Sequence, residues 1–204
     1  MSQSTKILII GGTGTIGKAV ADALSARHEV VTAGLHRGDV QVDVTDRASL
    51  EALFKKMKGL DAVVFAAGAV HFGALTEMSE AQFHVGLQNK LMGQINTVLV
   101  GMHHLNPKGS FTLTSGILSD DPIVLGANAS TVNGAINSFV KSAAIELPHG
   151  LRINAVSPTV VVESMEKFAP YFNGYKPIPV SDVALAYQKS VEGAQTGQVY
   201  AVGY

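Results

Sequence analysis

Lys6-Ile-Leu-Ile-Ile-Gly-Gly-Thr-Gly-Thr-Ile-Gly17 decides the fold. Lys6–Ile10 is a short apolar run without a period of its own, the pattern of a strand buried on both faces. Glycines at 11, 14 and 17 follow at once, and Lys18-Ala-Val-Ala-Asp-Ala-Leu24 then opens an amphipathic helix. Gly11 permits a tight turn off the strand, Gly14 takes away the Cβ that would hold a pyrophosphate off the backbone, and Gly17 lets helix and strand pack closely. The unpaired N–H groups and the dipole at the helix start would then face the phosphates. Two other readings compete. A glycine-rich turn without a ligand would spend three glycines where a plain turn needs none. A P-loop is nearly spelled by Gly12-Thr-Gly-Thr-Ile-Gly17-Lys18, but Ala19 stands where a Ser or Thr should hold magnesium. The stretch is read as a dinucleotide site.

The bulk composition agrees with such a protein. The 204 residues are 47% hydrophobic and 15% charged, which suits one core-rich domain spanning 1–204. A net charge of −1 argues against nucleic acid as a partner. Without cysteine there are no disulfides or thiolate metal sites. No apolar run is long enough to span a bilayer and no signal-peptide pattern is seen, so a cytoplasmic protein is expected and the sequon Asn128-Ala-Ser130 is read as incidental.

Along the chain, helices are expected over about 16–27, from Thr45 or Asp46 through Lys58, from a Ser79/Gln82 capping box to about His104, over 127–147, and from a Ser181 cap to about Val191. Strands are expected at 28–33, 40–42, 61–66, 111–114, 151–156 and 198–202. Apolar strands alternating with helices imply an α/β fold: a Rossmann-type doubly wound parallel sheet of about seven strands with helices on both faces.

The order of these motifs resembles the short-chain dehydrogenase/reductase family over nearly the whole chain. Gly11-x-x-Gly14-x-x-Gly17 is similar to its cofactor loop, and Asp43-Val44 to the Asp-hydrophobic pair that contacts adenine. Phe65-Ala66-Ala67-Gly68 resembles the Asn-Asn-Ala-Gly turn with both asparagines gone. Lys90-Leu-Met-Gly93 lies where the family has Asn-Leu-x-Gly, and Thr114-Ser115 resembles its Ser-Ser. Arg152-Ile-Asn-Ala-Val-Ser-Pro-Thr159 is close to its Arg-Val-Asn-x-Val-x-Pro-Gly. The resemblance implies a cofactor site built from Gly11, Thr13, Gly14, Thr15, Ile16, Gly17, His36, Arg37, Asp43, Val44, Ala66, Ala67, Gly68, Asn133, Pro158 and Thr159.

The departures fall on the family's catalytic residues. Aligning on Lys141–Glu146 puts Ala129 at the position of the general acid/base Tyr and Asn133 at that of the Lys, while Lys90 replaces the Asn. Only Ser115, which orients the carbonyl, is kept. A lysine in a mainly apolar helix would have its pKa lowered by desolvation and could serve as proton donor, or anchor a ribose or phosphate. Against this, Lys90 could snorkel to solvent or pair with Glu80. Ser115, alternatively, is a serine bonded to local backbone at a strand end, and Asp43 a helix cap.

Cofactor choice falls at the end of the second strand, where NAD binders carry an acid. Gly34-Leu35-His36-Arg37 offers none, and Arg37 can pair with a 2′-phosphate, so NADP(H) is favoured over NAD(H). A solvated surface arginine is the other reading of Arg37. His71 could face the same cleft, His103 and His104 point too far apart on a helix to share a metal, and no metal site is assigned. The loop 161–179, with Phe168, Tyr171, Phe172 and Tyr175, suggests an aromatic-lined lid. In the family resembled, the helix at 130–147 and the one carrying Lys90 build a dimer interface; with Gly93, Gly101 and Gly134 permitting close approach, the resemblance implies a homodimer or homotetramer. Two functions are carried forward. One is an atypical NADP-dependent reductase of a small carbonyl or alcohol substrate using Ser115 and Lys90, and the other a non-catalytic NADP(H)-binding sensor or partner subunit.

Overall fold

Ile7, Leu8, Ile9 and Ile10 are all fully buried in β1 (Lys6–Ile10), which lies at the middle of the sheet. The computed structural model describes residues 4–204. Ile7 and Ile9 face one apolar layer, while Leu8 and Ile10 face the other. Burial on both faces is why the run carries no alternation, and each such side chain contributes about 1.5–3 kcal/mol.

The chain continues through α1 (Thr15–Ser25), β2 (Glu29–Gly34), β3 (Val40–Gln41), α2 (Arg47–Lys56) and β4 (Leu60–Phe65). Then come α3 (Glu80–Gly86), a π-helical turn (Leu87–Met92), α4 (Gly93–Gly101), β5 (Leu105–Thr114) and α5 (Ala127–Ala143). The last elements are β6 (Arg152–Pro158), α6 (Met165–Phe168), α7 (Val180–Glu192) and β7 (Val199–Val202). All strands are parallel, in the order β3-β2-β1-β4-β5-β6-β7. Residues of α2, α4 and α5 pack on one face, and α1 and α7 cover the other. The expected α/β doubly wound architecture is the observed one. The order reverses between β1 and β4, and a crevice opens beyond the carboxyl ends of those strands, the usual ligand position in open α/β sheets.

Several boundaries differ from the sequence reading. The Ser79–Gln82 capping box is present, with Gln82 N–H 3.3 Å from Ser79 Oγ and the Gln82 carbonyl accepting from Ser79 N at 2.9 Å. The helix it starts is interrupted by the π-turn and ends at Gly101 instead of His104. Strand β5 begins six residues earlier than expected, at Leu105, because its first half pairs beside Leu60 across an irregular register. Asp46, not Thr45, caps α2 by accepting from Ala48 N, and Ser181 caps nothing. The carboxylate of Glu163, from the preceding loop, takes the free Val180 N–H at the start of α7. Gly93 and Gly101 face inward, where an added Cβ would meet Val44 and Phe65 or Phe54 and Phe111. Of the three glycines expected at an interface, only Gly134 opens onto free space.

No helix among the described residues is long and apolar enough to cross a membrane.

Candidate functional site

The glycine loop is held by short backbone bonds, Gly11 N–H to Ala33 O at 2.7 Å and Gly14 N–H to Gly11 O at 3.0 Å. Gly11 has φ +86°, and a Cβ there would lie 2.6 Å from Ala66 O, so the loop passes directly over the end of β4. A Cβ on Gly17 would come 2.1 Å from Gly11 O, which is the close helix–strand packing its sequence position suggests. Gly14, by contrast, has room for a Cβ at ordinary contact distance, and it is exposed with Thr13 and Thr15. The N-terminus of α1 at Gly14 has no side-chain cap, so its N–H groups face the crevice unpaired by any side chain.

Two cavities flank this loop. The larger, about 280 Å³, brings together Ile16, Ala66, Ala67, Gly68, Lys90, Ser115, Asn133, Pro158 and Thr159, nine positions singled out from the sequence. Ala129 also lines it. The smaller, about 220 Å³, is lined by Asp43 and Val44 together with Gly34, Leu35, Ala67, Gly68 and Asn89. Asp43 is occupied locally, its carboxylate accepting from Thr45 N at 2.9 Å and Thr45 Oγ1 at 2.6 Å, which holds its carboxyl below the usual range. His36 and Arg37 stand exposed on the turn after β2, beyond the lining of either cavity.

Lys90 is the chemical centre of the larger cavity. Its Nζ donates to Asn133 Oδ1 at 2.6 Å and to Ser115 O at 3.0 Å. Among the described residues no carboxylate pairs with it; Glu80 approaches His84 instead, at 3.5 Å. Two of the three ammonium N–H groups are thereby used, and the third remains for a ligand in the cavity. Desolvation without a counter-charge lowers Lys90 to about 8. Snorkelling to solvent and pairing with Glu80 are both replaced by this inward arrangement.

The placement of Lys90 is built in by its surroundings. It lies within the π-turn, whose wider winding shifts the side-chain register of a helix. Buried Gln94 ties that turn to the end of β5, donating to Lys90 O (2.9 Å) and Thr114 O (3.0 Å) and accepting from Thr114 N (2.7 Å). On the other side Gly68, at φ +115°, approaches so closely that a Cβ would lie 2.9 Å from the Lys90 Cα. Asn133 is also fixed, its amide donating to Gly116 O at 3.3 Å. Ser115 Oγ donates to Asn133 O at 3.1 Å, so it is bonded to backbone and lines the cavity at once.

The chain is similar to known proteins over most of its length. The family profile adh_short_C2, described as Enoyl-(Acyl carrier protein) reductase, matches residues 12–199. The chain belongs to the short-chain dehydrogenase/reductase family. Among solved structures of similar fold is the protein lin1944 from Listeria innocua, 50% identical, with a TM-score of 0.95 over 97% of this chain and 99% of that one. A small-chain dehydrogenase in complex with NADPH is 26% identical, with a TM-score of 0.87 over 98% of this chain and 97% of that one. An uncharacterized oxidoreductase, YmfI of Bacillus subtilis, is 29% identical over 80% of this chain and 78% of its own.

In this short-chain dehydrogenase/reductase, several other sequence candidates take structural places. His71 lines neither cavity and gives its backbone N–H to Asn128 Oδ1 at 3.0 Å. His104 stacks on Phe54 at 5.8 Å between ring centroids. No cluster of three metal-ligating side chains occurs among the described residues. Gln94, Phe72, Ile117 and Leu118 were not singled out from the sequence, although all but Gln94 line the larger cavity. A buried glutamine four residues after Lys90 was the one available signal, since buried amides need partners.

Proposed function

We propose that this protein is an NADP-dependent oxidoreductase of a small carbonyl or alcohol compound, with Lys90 and Ser115 serving the reaction. The observation that carries the reading is the Lys90 ammonium, held by Asn133 and Ser115 O with one donor left for the cavity.

The residues present fit a dinucleotide. Exposed Gly14 and the uncapped start of α1 suit a pyrophosphate, which the N–H groups and dipole would favour. The smaller cavity beside Asp43 and Val44 suits an adenine, while Ile16, Ala66–Gly68, Asn133, Pro158 and Thr159 surround the place for the nicotinamide end. The turn after β2 supports a 2′-phosphate. A Cβ at Gly34 would lie 2.6 Å from Arg37 O, so the turn as folded bars an acidic side chain there. The nearby Asp39 is folded back, accepting from Thr32 N and Thr32 Oγ1 at 2.8 Å each. Arg37 and His36 are left exposed for the phosphate.

When bound, the nicotinamide supplies or takes the hydride. Lys90 then donates a hydrogen bond, and finally a proton, to the substrate oxygen. Lowering to about 8 makes it a better acid than an ordinary lysine while keeping it charged at neutral pH. Asn133 and Ser115 O hold the ammonium in place. Ser115 Oγ, at the cavity wall, can turn from Asn133 O to the substrate oxygen. The test is substrate-dependent NADPH oxidation over a carbonyl panel, expected in the wild type and lost in Lys90→Ala.

One observation favours a second reading, a non-catalytic NADP(H)-binding sensor or partner subunit. Of the two α5 positions lining the cavity, Ala129 offers no hydroxyl and Asn133 is bonded to Lys90, and Ser115 Oγ already has a backbone partner. Tight NADPH binding without turnover on any carbonyl would decide for it. A homodimer or homotetramer is proposed for the outer face of α5, where Gly134 opens to free space. Light scattering tests that state. A cytoplasmic setting, where NADPH is plentiful, is proposed with it.

A further inference from the structure

The outer half of the larger cavity has a chemistry of its own. One wall is Phe72, Phe168 and Phe172, and the facing wall is Ile117, Leu118 and Ala129. The aromatic side continues outward through Tyr171 and Tyr175 as a chain of ring contacts, with centroids 5.1–6.3 Å apart. These rings brace one another in tilted and edge-on pairs, the geometry that favours ring–ring attraction. The segment carrying them is pinned by the Val161–Ile178 bridge and by Glu163 on the Val180 N–H.

Ser164 lines the cavity, while the charged groups and the Tyr175 hydroxyl of that segment lie elsewhere. Glu163 is spent on α7, Lys167 Nζ lies 5.2 Å from the Phe168 ring without lining the cavity, and Tyr175 OH donates to Asp121 O at 3.0 Å. Among the described residues lining the cavity, Lys90 at the floor is the one ionisable side chain.

We infer that the ligand of this outer half is an uncharged aryl carbonyl compound, its ring between Phe172 and Ile117 and its oxygen toward Lys90. A sugar would bring several hydroxyls against Phe72, Phe168, Phe172, Ile117, Leu118 and Ala129, whose side chains offer no donor or acceptor, with Ser164 the one hydroxyl of the aromatic segment in the lining; each hydroxyl left unpaired costs about 1–3 kcal/mol. A carboxylate in the outer half meets no cation. The whole cavity, about 280 Å³ and shared with the place for the nicotinamide end, is at the small end of ligand pockets, which limits the ligand to a compact ring compound. The inference rests on the oxidoreductase reading for the fate of the ligand, and on the cavity walls alone for its binding.

Calorimetric titration with acetophenone, xylulose and phenylpyruvate, on the protein alone and on the protein saturated with NADPH, tests it. Acetophenone is expected to bind at least tenfold more tightly than either of the others, with a negative heat-capacity change. Phe172→Asp is expected to abolish that binding and Phe168→Ala to weaken it about tenfold, with the affinity for NADPH unchanged in both. If Phe172→Asp fails to fold, Phe168→Ala carries the test. Tighter binding of xylulose or phenylpyruvate, or acetophenone affinity untouched by the folded variants, overturns the inference. Acetophenone binding without any NADPH binding would uphold it while removing the oxidoreductase reading; NADPH binding without acetophenone binding would do the reverse.

Discussion

Lys90 Nζ lies 2.6 Å from Asn133 Oδ1, joining the π-turn to α5 across the floor of the cavity. By the family resemblance the asparagine belongs on the first of these helices and the lysine on the second. In that alignment the two residue types change places; in the structure the cation lies between the π-turn and α5. The partner in this contact is a neutral amide, and desolvation lowers the pKa of the ammonium.

That contact predicts a pH profile. Lys90 is charged below about pH 8 and neutral above it, so carbonyl reduction should fall about tenfold per pH unit beyond that point. Asn133→Asp puts an opposite charge beside the ammonium and favours its charged form, moving the fall to higher pH. The pH dependence of kcat/KM for both proteins checks it; an unmoved limb in the variant contradicts it.

The same shift acts on stability. The unfolded chain holds its Lys90 proton up to the ordinary 10.5 while the folded protein releases it near 8, so the unfolded state binds more protons between those values. Stability contributed by this group therefore rises with pH across that window. Urea unfolding at pH 7.5 and 10, values about this window, should show the rise in the wild type relative to Lys90→Met.

Arg37→Ala is expected to weaken NADPH by about tenfold to a hundredfold, the worth of about 1.5–3 kcal/mol for a charged hydrogen bond. NADH affinity should stay where it was, because it has no phosphate to lose. Fluorescence titration of the two reduced cofactors measures both.

The glycine loop and the strand around it were legible in the sequence for physical reasons. A strand buried on both faces must be apolar throughout, and a loop position whose Cβ would fall 2.6 Å from Ala66 O can only be glycine. The Lys90 ammonium was legible as an anomaly in an apolar helix. Its partner was not, because Asn133 is 43 residues away and the π-turn that aims the lysine depends on Gln94 and Gly68 closing on it from two sides. The expected continuous helix differs from the observed one because a single π-turn inside an α-helix is rare and carries no residue signature of its own. The outward turn of α5 at Gly134 and the inward turn of Gly93 and Gly101 likewise follow from packing against the sheet, which residue type alone does not encode.

Gly17→Ala separates folding from ligand binding. Its Cβ would fall 2.1 Å from Gly11 O, backbone that cannot give way cheaply, so a loss of about 1–3 kcal/mol is expected. Gly14→Ala, with contacts no closer than 3.4 Å, should keep its melting temperature and lose NADPH affinity, since the added methyl stands where the pyrophosphate would approach. Thermal melts and cofactor titrations of the pair check the contrast.

Tyr187, which does not itself line the cavity, offers a control for the buried network behind Thr114. Its hydroxyl is buried under α7 and bonded to Thr114 Oγ1, which also donates to Phe65 O, and burial pushes the phenol up. Tyr187→Phe should cost about 0.5–1.5 kcal/mol by urea unfolding and leave cofactor affinity unchanged.

The most direct measurement is a titration of the purified protein with NADPH and, separately, NADH, followed by the fluorescence of the reduced cofactor. Saturable binding that favours NADPH, weakened by Arg37→Ala and by Gly14→Ala, is the predicted result. Absence of binding by either cofactor would contradict the account, leaving a short-chain dehydrogenase/reductase fold with no nicotinamide chemistry.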